Sequence, residues 1–432
     1  MPNICTFVGI IMAKTSNHIM TLNLITFISS LSTRESLFTD HHELLNRLSQ
    51  HYDVNYIFPE DLGKEIPSGP CMVLVGSGGV EQSVARAIDR LPSYVTLIAD
   101  GLKNSLAASL EVLSWMRQEG HPGHVLHGDI NYILRGVEQY VTGYEAVKRL
   151  NHQRIGVIGK PSGWLIASGV DYTHVRKHWD LWLQNLPLDE VVKSYNSIAD
   201  EEVVQLADDF IEKARKMNEP TRNDVVKAMR LYRALKMMVD KYHLDGFTLN
   251  CFDLIPLTGT TGCVALAMLN AEGIPAGCEG DIQTILTMMA AKAVTGSPGF
   301  MANPSKILNN EAHEMIFAHC TIAPNMCDRY IIRNHYESLS GVGIEGIMAP
   351  GPFTVVKWGG RHMERCFVSR ANLLECTSNS NMCRTQMRMQ LQAPLDYFLN
   401  NSIGNHHVII KGNYVQQMEA LLRILGATPV VE

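Results

Sequence analysis

The sequence predicts an α/β protein: two successive domains built on parallel sheets, then a β-rich domain forming an antiparallel sheet or barrel. Three observations predict it. Over residues 1–150, short continuous apolar runs alternate with longer helical patterns, the texture of βαβ units. A polar stretch at Asn151–Arg154 then precedes a fresh apolar run, Ile155–Ile158, which opens a second α/β unit over 151–315. From Ile316 to the end at 432, short segments rich in β-branched and aromatic residues are separated by Gly/Pro turns such as Ala349-Pro350-Gly351-Pro352.

In chain order, Ile4–Ile11 reads as a strand, Leu44–Gln50 as a helix and Val54–Phe58 as the next strand. Cys71–Val75 is a continuous apolar strand that runs into Gly76-Ser77-Gly78-Gly79 and the helical stretch Val80–Leu91. Val95–Ala99 with Leu102–Gln118, and Val125–Leu126 with Ile130–Leu150, repeat the unit. Strands that are apolar throughout, rather than alternating, are expected where helices cover both faces of a sheet. In the second unit, Asn223–Tyr242 places Val225, Ala228, Met229, Tyr232, Leu235 and Val239 on one helical face. Gly246–Cys251 reads as a strand, Cys263–Leu269 as a helix, and Gly273–Cys278 as a strand ending at Glu279. The C-terminal strands are Tyr330–Arg333, Val342–Ile347, Phe353–Trp358, Cys366–Leu374, Arg384–Leu391 and His407–Lys411, before a helix over Tyr414–Leu425 stopped by Gly426.

Composition excludes several classes. A net charge of -6 argues against nucleic-acid binding, which leaves a basic footprint. With 46% hydrophobic and 19% charged residues the chain is not a disordered one. No stretch approaches the roughly 20 apolar residues of a membrane span, and the N-terminus lacks the basic region of a signal peptide. Ten Cys without a dense pairing pattern suit a reducing compartment, so a cytoplasmic protein is expected, with Cys71, Cys251, Cys263, Cys278 and Cys366 as core residues.

Gly76-Ser77-Gly78-Gly79, between strand and helix, suggests a phosphate cradle. The full dinucleotide fingerprint requires a further Gly and an acidic residue about 20 positions on. Val80 and Glu81 follow instead and Asp100 meets the second requirement only loosely, so a tight turn is the plainer reading. Asp253, in Asn250-Cys251-Phe252-Asp253 at the end of an apolar strand, is either a site residue or a helix N-cap. Ile274-Pro275-Ala276-Gly277-Cys278-Glu279-Gly280-Asp281 ends an apolar run in two carboxylates. Asp281 fits a helix N-cap, but Glu279 at a strand end requires a cation or hydrogen-bond partner. Downstream lie His319 and the pair His406-His407; adjacent strand residues point to opposite faces, so only one of that pair can face a given site. Glutamate with imidazoles suits Mn²⁺, Zn²⁺ or Fe²⁺.

Taken together and in order, Asn250-Cys251-Phe252-Asp253, Gly277-Cys278-Glu279-Gly280-Asp281, Thr295-Gly296, Phe300-Met301-Ala302-Asn303-Pro304-Ser305, Ala318-His319-Cys320-Thr321 and Gly404-Asn405-His406-His407 resemble the L-fucose isomerase / L-arabinose isomerase superfamily, in its shorter fucose isomerase-like branch. Gly159-Lys160-Pro161-Ser162-Gly163-Trp164-Leu165-Ile166-Ala167-Ser168 and His335-Tyr336-Glu337-Ser338 resemble it too.

The resemblance implies two Rossmann-like domains and a C-terminal β-barrel-like domain. It also implies a homo-oligomer, trimer or hexamer, with active sites near subunit boundaries, acting on a small sugar. It further implies Mn²⁺ or another divalent metal and the interconversion of aldoses and ketoses by enediol proton transfer. Glu279 matches the metal-binding carboxylate that doubles as an acid/base group. His319 matches one imidazole ligand, and His406 or His407 the late one, with His407 expected to complete the metal site. Asn303, or its neighbour Ala302, stands where a second carboxylate belongs, and this is a departure; Asp281 or Asp253 is the substitute the sequence offers, with Asp253 and Asn303 facing the sugar. The departure keeps a second reading open, a sugar-binding homologue without turnover. A third, a nucleotide-dependent enzyme, rests on Gly76–Gly79 alone.

Overall fold

The computed structural model describes residues 20–431. The expected strand Ile4–Ile11 lies outside them. The chain divides into two compact units, Met1–Gly136 and Val137–Glu432.

In the first unit, β1 (Thr21–Phe27), β2 (Asp53–Ile57), β3 (Cys71–Val75), β4 (Val95–Ile98) and β5 (Gly123–Leu126) form a parallel sheet in the order β2-β1-β3-β4-β5. β1 escaped the sequence reading because polar residues interrupt its apolar run. Asn23 and Thr26 are both buried, and Asn23 compensates by donating to Ser68 O at 2.9 Å and accepting from Asn55 Nδ2 at 2.9 Å. After β3, the Gly76 N–H donates to Phe27 O and the Gly78 N–H to Lys103 O, each at 2.8 Å, so the glycine loop is a turn with those two amides engaged internally.

The second unit opens with β6 (Arg154–Ile158), β7 (Trp182–Leu186), β8 (Lys216–Met217), β9 (Gly246–Leu249) and β10 (Ala276–Gly277); four of these pair in parallel as β10-β9-β6-β7. β7 is a mostly exposed edge strand, which is why no apolar run announced it. The long helix α1 (Arg222–Tyr242) begins where Thr221 and Asp224 form a reciprocal capping box and buries the apolar face expected of it. Two further helices, α2 (Cys251–Thr258) and α3 (Ile282–Thr295), follow β9 and β10.

Beyond them run β11 (Phe300–Asn309), β12 (Glu314–His319), β13 (Arg329–Arg333), β14 (Gly343–Ile347), β15 (Gly351–Gly359), β16 (Arg365–Thr377), β17 (Thr385–Leu391), β18 (His407–Lys411) and β19 (Thr428–Pro429). Six of them close an antiparallel ring, β15-β18-β11-β12-β17-β16 and back to β15, while β19 pairs outside it with β16 and β13, β14 and β8 form a small sheet. The barrel thus starts at Phe300. Its interior and the helices packed on it bury Phe317, Phe353, Trp358 and Phe367, each removal from water contributing about 1.5–3 kcal/mol. α3 is clipped to β15 by Thr287, whose hydroxyl donates to Trp358 O and accepts from Trp358 N–H, both at 3.1 Å. Among the described residues no single helix is long and apolar enough to cross a membrane. The five cysteines expected in the core are buried free thiols.

Candidate metal centre

The site begins with the turn from β10 into α3. Glu279 and Gly280 both adopt left-handed backbone angles, φ +62° and +70°. A Cβ at position 280 would lie 2.7 Å from Pro161 Cα, so only glycine fits there. Glu279, which has a side chain, is held in this costly conformation by its surroundings: its carbonyl accepts from Ser162 N–H at 2.9 Å, and the Gly280 N–H donates to Leu249 O at 3.0 Å. Asp281 then caps α3, its Oδ1 accepting from Thr284 N–H at 2.9 Å. That is the structural role the sequence suggested.

Its other oxygen does more. Asp281 Oδ2 accepts from His406 Nδ1 at 2.9 Å and lies 4.0 Å from Lys357 Nζ, and all three side chains are fully buried. Lys357 also donates to Thr284 Oγ1 at 2.9 Å. With Nδ1 committed to Asp281, His406 turns Nε2 toward Glu279 Oε1, 3.5 Å away, and that Nε2 is buried without a hydrogen-bond partner. His319, at the end of β12, accepts from or donates to Thr321 Oγ1 through Nδ1 at 3.0 Å, and its ring centre stands 5.6 Å from that of His406. One ligand atom from each of Glu279, His319 and His406 lies within 4.8 Å of the other two.

The electrostatics follow from this crowding. Burial opposes ionisation of Asp281, but Lys357 and the His406 hydrogen bond outweigh it and hold the carboxyl far below the usual range. Burial also opposes Glu279, yet His406, His319 and the Trp164 indole bring it down to about 2. Burial would discharge His406; Asp281 and Glu279 reverse that and lift it to about 9. Burial and the neighbouring His406 push His319 down to about 4. Two carboxylates therefore surround one imidazolium and one neutral imidazole, an arrangement in which a divalent cation can take the place of the His406 proton. A buried, unpartnered imidazole nitrogen facing a carboxylate oxygen fits a metal of the N/O-preferring class.

Of the other sequence candidates, His407 is elsewhere. Its Nε2 is bonded to Tyr397 Oη at 2.9 Å and its Nδ1 to Asn405 O at 3.0 Å, and it packs among Phe317, Phe367 and Phe398. Burial and Lys357 push it down to about 3, leaving a neutral core histidine. The register of β18 against β11 and β15 turns His407 into the core and leaves His406 as the member that joins Glu279. Asn303, on β11, accepts from Asn405 Nδ2 at 3.3 Å and is not in the group of three. Asp253 accepts from Asn250 Nδ2 at 2.7 Å in the first turn of α2 and lines a cleft of about 720 Å³ with Lys160, Tyr172 and Asn185. Two residues escaped the sequence reading. Lys357 had a signal, a lysine inside the apolar strand Phe353–Trp358; Trp164, which donates its indole N–H to Glu279 Oε2 at 2.6 Å, had none beyond its motif.

Two comparisons with known proteins match parts of this chain. The L-arabinose isomerase central-domain model matches residues 170–297, which include Glu279 and Asp281. A sulfoquinovose isomerase from Clostridium sp. (strain MSTE9) is 23% identical over 194 residues, covering 44% of this chain and 43% of the relative. The aligned segment thus spans less than half of that relative's length. Over these segments the chain is similar to L-arabinose isomerase-like proteins, and its two parallel sheets with a closed barrel accompany that likeness.

Proposed function

We propose that this protein is a metal-dependent aldose–ketose isomerase whose metal ligands are Glu279, His319 and His406, with Mn²⁺ as the expected ion. One observation carries the proposal: His406 Nε2, buried and unpartnered, meets Glu279 Oε1 and His319 in one place. A divalent ion bound there supplies Lewis-acid stabilisation of the charge that develops on the sugar oxygens. Glu279 takes the proton from C2 of the aldose and delivers it to C1 of the enediolate, while the O2 hydroxyl proton passes to O1, giving the ketose. Proton transfer of this kind contributes ~10²–10⁴-fold. Asp281 orients His406 through Nδ1, and Lys357 holds Asp281 ionised. The sugar is one of the superfamily's class; L-arabinose, L-fucose and sulfoquinovose form the test panel. The reading carries with it a cytoplasmic homo-oligomer, trimer or hexamer, with Asn303 and Asp253 toward the sugar.

Glu279→Gln is expected to lower Mn²⁺-supported isomerisation of a panel sugar at least ~100-fold. Turnover near the wild-type level would refute the assignment. A second reading, sugar binding without turnover, is favoured by the single carboxylate in the group of three. Mn²⁺ and sugar binding with no aldose–ketose exchange in wild-type protein would select it.

A further inference from the structure

The loop that follows β6 is docked onto the metal-site turn at several points. The Ser162 N–H donates to Glu279 O at 2.9 Å, the Leu165 N–H to Ser162 O at 2.9 Å, and Gln283 Nε2 from α3 to Ala167 O at 2.8 Å. Between these anchors Trp164 directs its indole N–H at Glu279 Oε2, yet 55% of the residue remains exposed. The ring meets Phe252 edge-on, centres 4.9 Å apart, and Phe252 meets His335 the same way at 5.7 Å.

We propose that Trp164 is a positioning residue for Glu279 and the platform on which the apolar face of the sugar packs. The proposal rests on Glu279 being the reacting carboxylate. A glutamate carboxylate turns easily about its last torsion, whose rotamers are broad. By fixing Oε2, the indole leaves Oε1 as the oxygen that faces His406 Nε2. The ring's only polar atom is thereby used inside the protein, and what it offers to solvent is an apolar face. Ligand sites combine such aromatic surfaces with a few placed polar groups, and the C–H face of a sugar is the complement of the first while its hydroxyls suit the second. Trp164 with Phe252 supplies the surface, and Glu279 beside it supplies the polar edge.

Trp164→Phe keeps a ring and removes the N–H; Trp164→Ala removes both. Calorimetric titration of Co²⁺ into metal-stripped protein reads the positioning role without turnover. Affinity is expected to fall about tenfold in Trp164→Phe, the scale of losing a group that orients a ligand. Calorimetric titration of the three panel sugars into Co²⁺-loaded protein reads the platform: affinity is expected to stay within about threefold in Trp164→Phe and to fall tenfold or more in Trp164→Ala. Unchanged Co²⁺ affinity in Trp164→Phe overturns the positioning role. Unchanged sugar affinity in folded Trp164→Ala, or no binding of any panel sugar to wild-type protein, overturns the platform. If Glu279→Gln itself binds Co²⁺ like wild type, the fault lies with the glutamate assignment and not with Trp164.

Discussion

Each unit of this protein buries a histidine against an aspartate, and the two pairs have opposite meanings. In the N-terminal unit His41 Nδ1 meets Asp100 Oδ2 at 2.6 Å, and the same imidazole is hydrogen-bonded to the Gly76 backbone. Both of its nitrogens are engaged, so it ties the loops after β3 and β4 together and has nothing left to offer a ligand. In the second unit His406 meets Asp281 at 2.9 Å through Nδ1, but its Nε2 has no hydrogen-bond partner and faces a second carboxylate 3.5 Å away. Both pairs sit by the carboxyl ends of parallel strands, the usual place for ligands in such sheets. Position alone therefore does not mark a site; an unmatched buried imidazole nitrogen set against a carboxylate and a second imidazole does, because leaving such a group unbonded costs about 1–3 kcal/mol unless a ligand completes it.

The sharpest way to break this comparison is to remove each imidazole in turn. His406→Asn is expected to lower divalent-metal affinity by ~100-fold or more, since it takes away a ligand whose mere orienting partner is worth 10–100-fold. His41→Asn should leave metal affinity within about twofold, as should His407→Phe, and should instead destabilise the N-terminal unit by about 1–2 kcal/mol, because half-buried Asp100 loses one hydrogen-bond partner. Calorimetric metal titration beside thermal unfolding checks both. Equal metal loss in the His41 and His406 variants would erase the distinction.

A smaller effect is expected at the aspartates. Asp281→Asn keeps the cap on α3 but weakens the grip on His406, so metal affinity should fall by about tenfold, and buried Lys357 loses its counter-charge, so the melting temperature should fall as well. The smallest effect concerns pH. His41 titrates above its ordinary 6.5: burial lowers it, but Asp100 more than compensates. A raised histidine stabilises fully below pH 6.5 and loses that contribution as pH climbs through the folded value. Asp100 titrates below its ordinary 3.8, since His41 and the Leu102 amide outweigh burial, so its contribution is present above 3.8 and lost as pH falls through the lowered value. Thermal unfolding should thus show the N-terminal unit losing stability from about pH 6.5 upward, and His41→Gln should flatten that slope.

How much of this was legible beforehand differs by residue. The fold class was readable because buried parallel strands such as Cys71–Val75 are apolar throughout, and because the barrel segments alternate with Gly/Pro turns. β1 was not, since its buried Asn23 is satisfied by Ser68 and Asn55, distant in sequence, and its buried Thr26 by the nearby Leu24 carbonyl. The alternation rule showed that one of His406 and His407 must face away, but not which; that depends on register against β11 and β15. Asp281 read as a cap, and it is one, but its second oxygen is engaged by a histidine 125 residues further along the chain. Trp164 was invisible as a site residue, because its contact with Glu279 spans 115 residues and leaves no periodic trace.

The closed barrel has a consequence for how such a centre can change over generations. β18 is held on both sides, with Ala302 opposite His407 on β11 and Val356 opposite Val408 on β15, so neither flank is free to slide. Gain or loss of one residue in the Ser402–Asn405 connection is therefore absorbed by that connection, because a one-step slip of β18 would turn its whole buried face the other way. The doublet keeps its division of labour: His406 stays with Glu279 and His407 stays in the aromatic core.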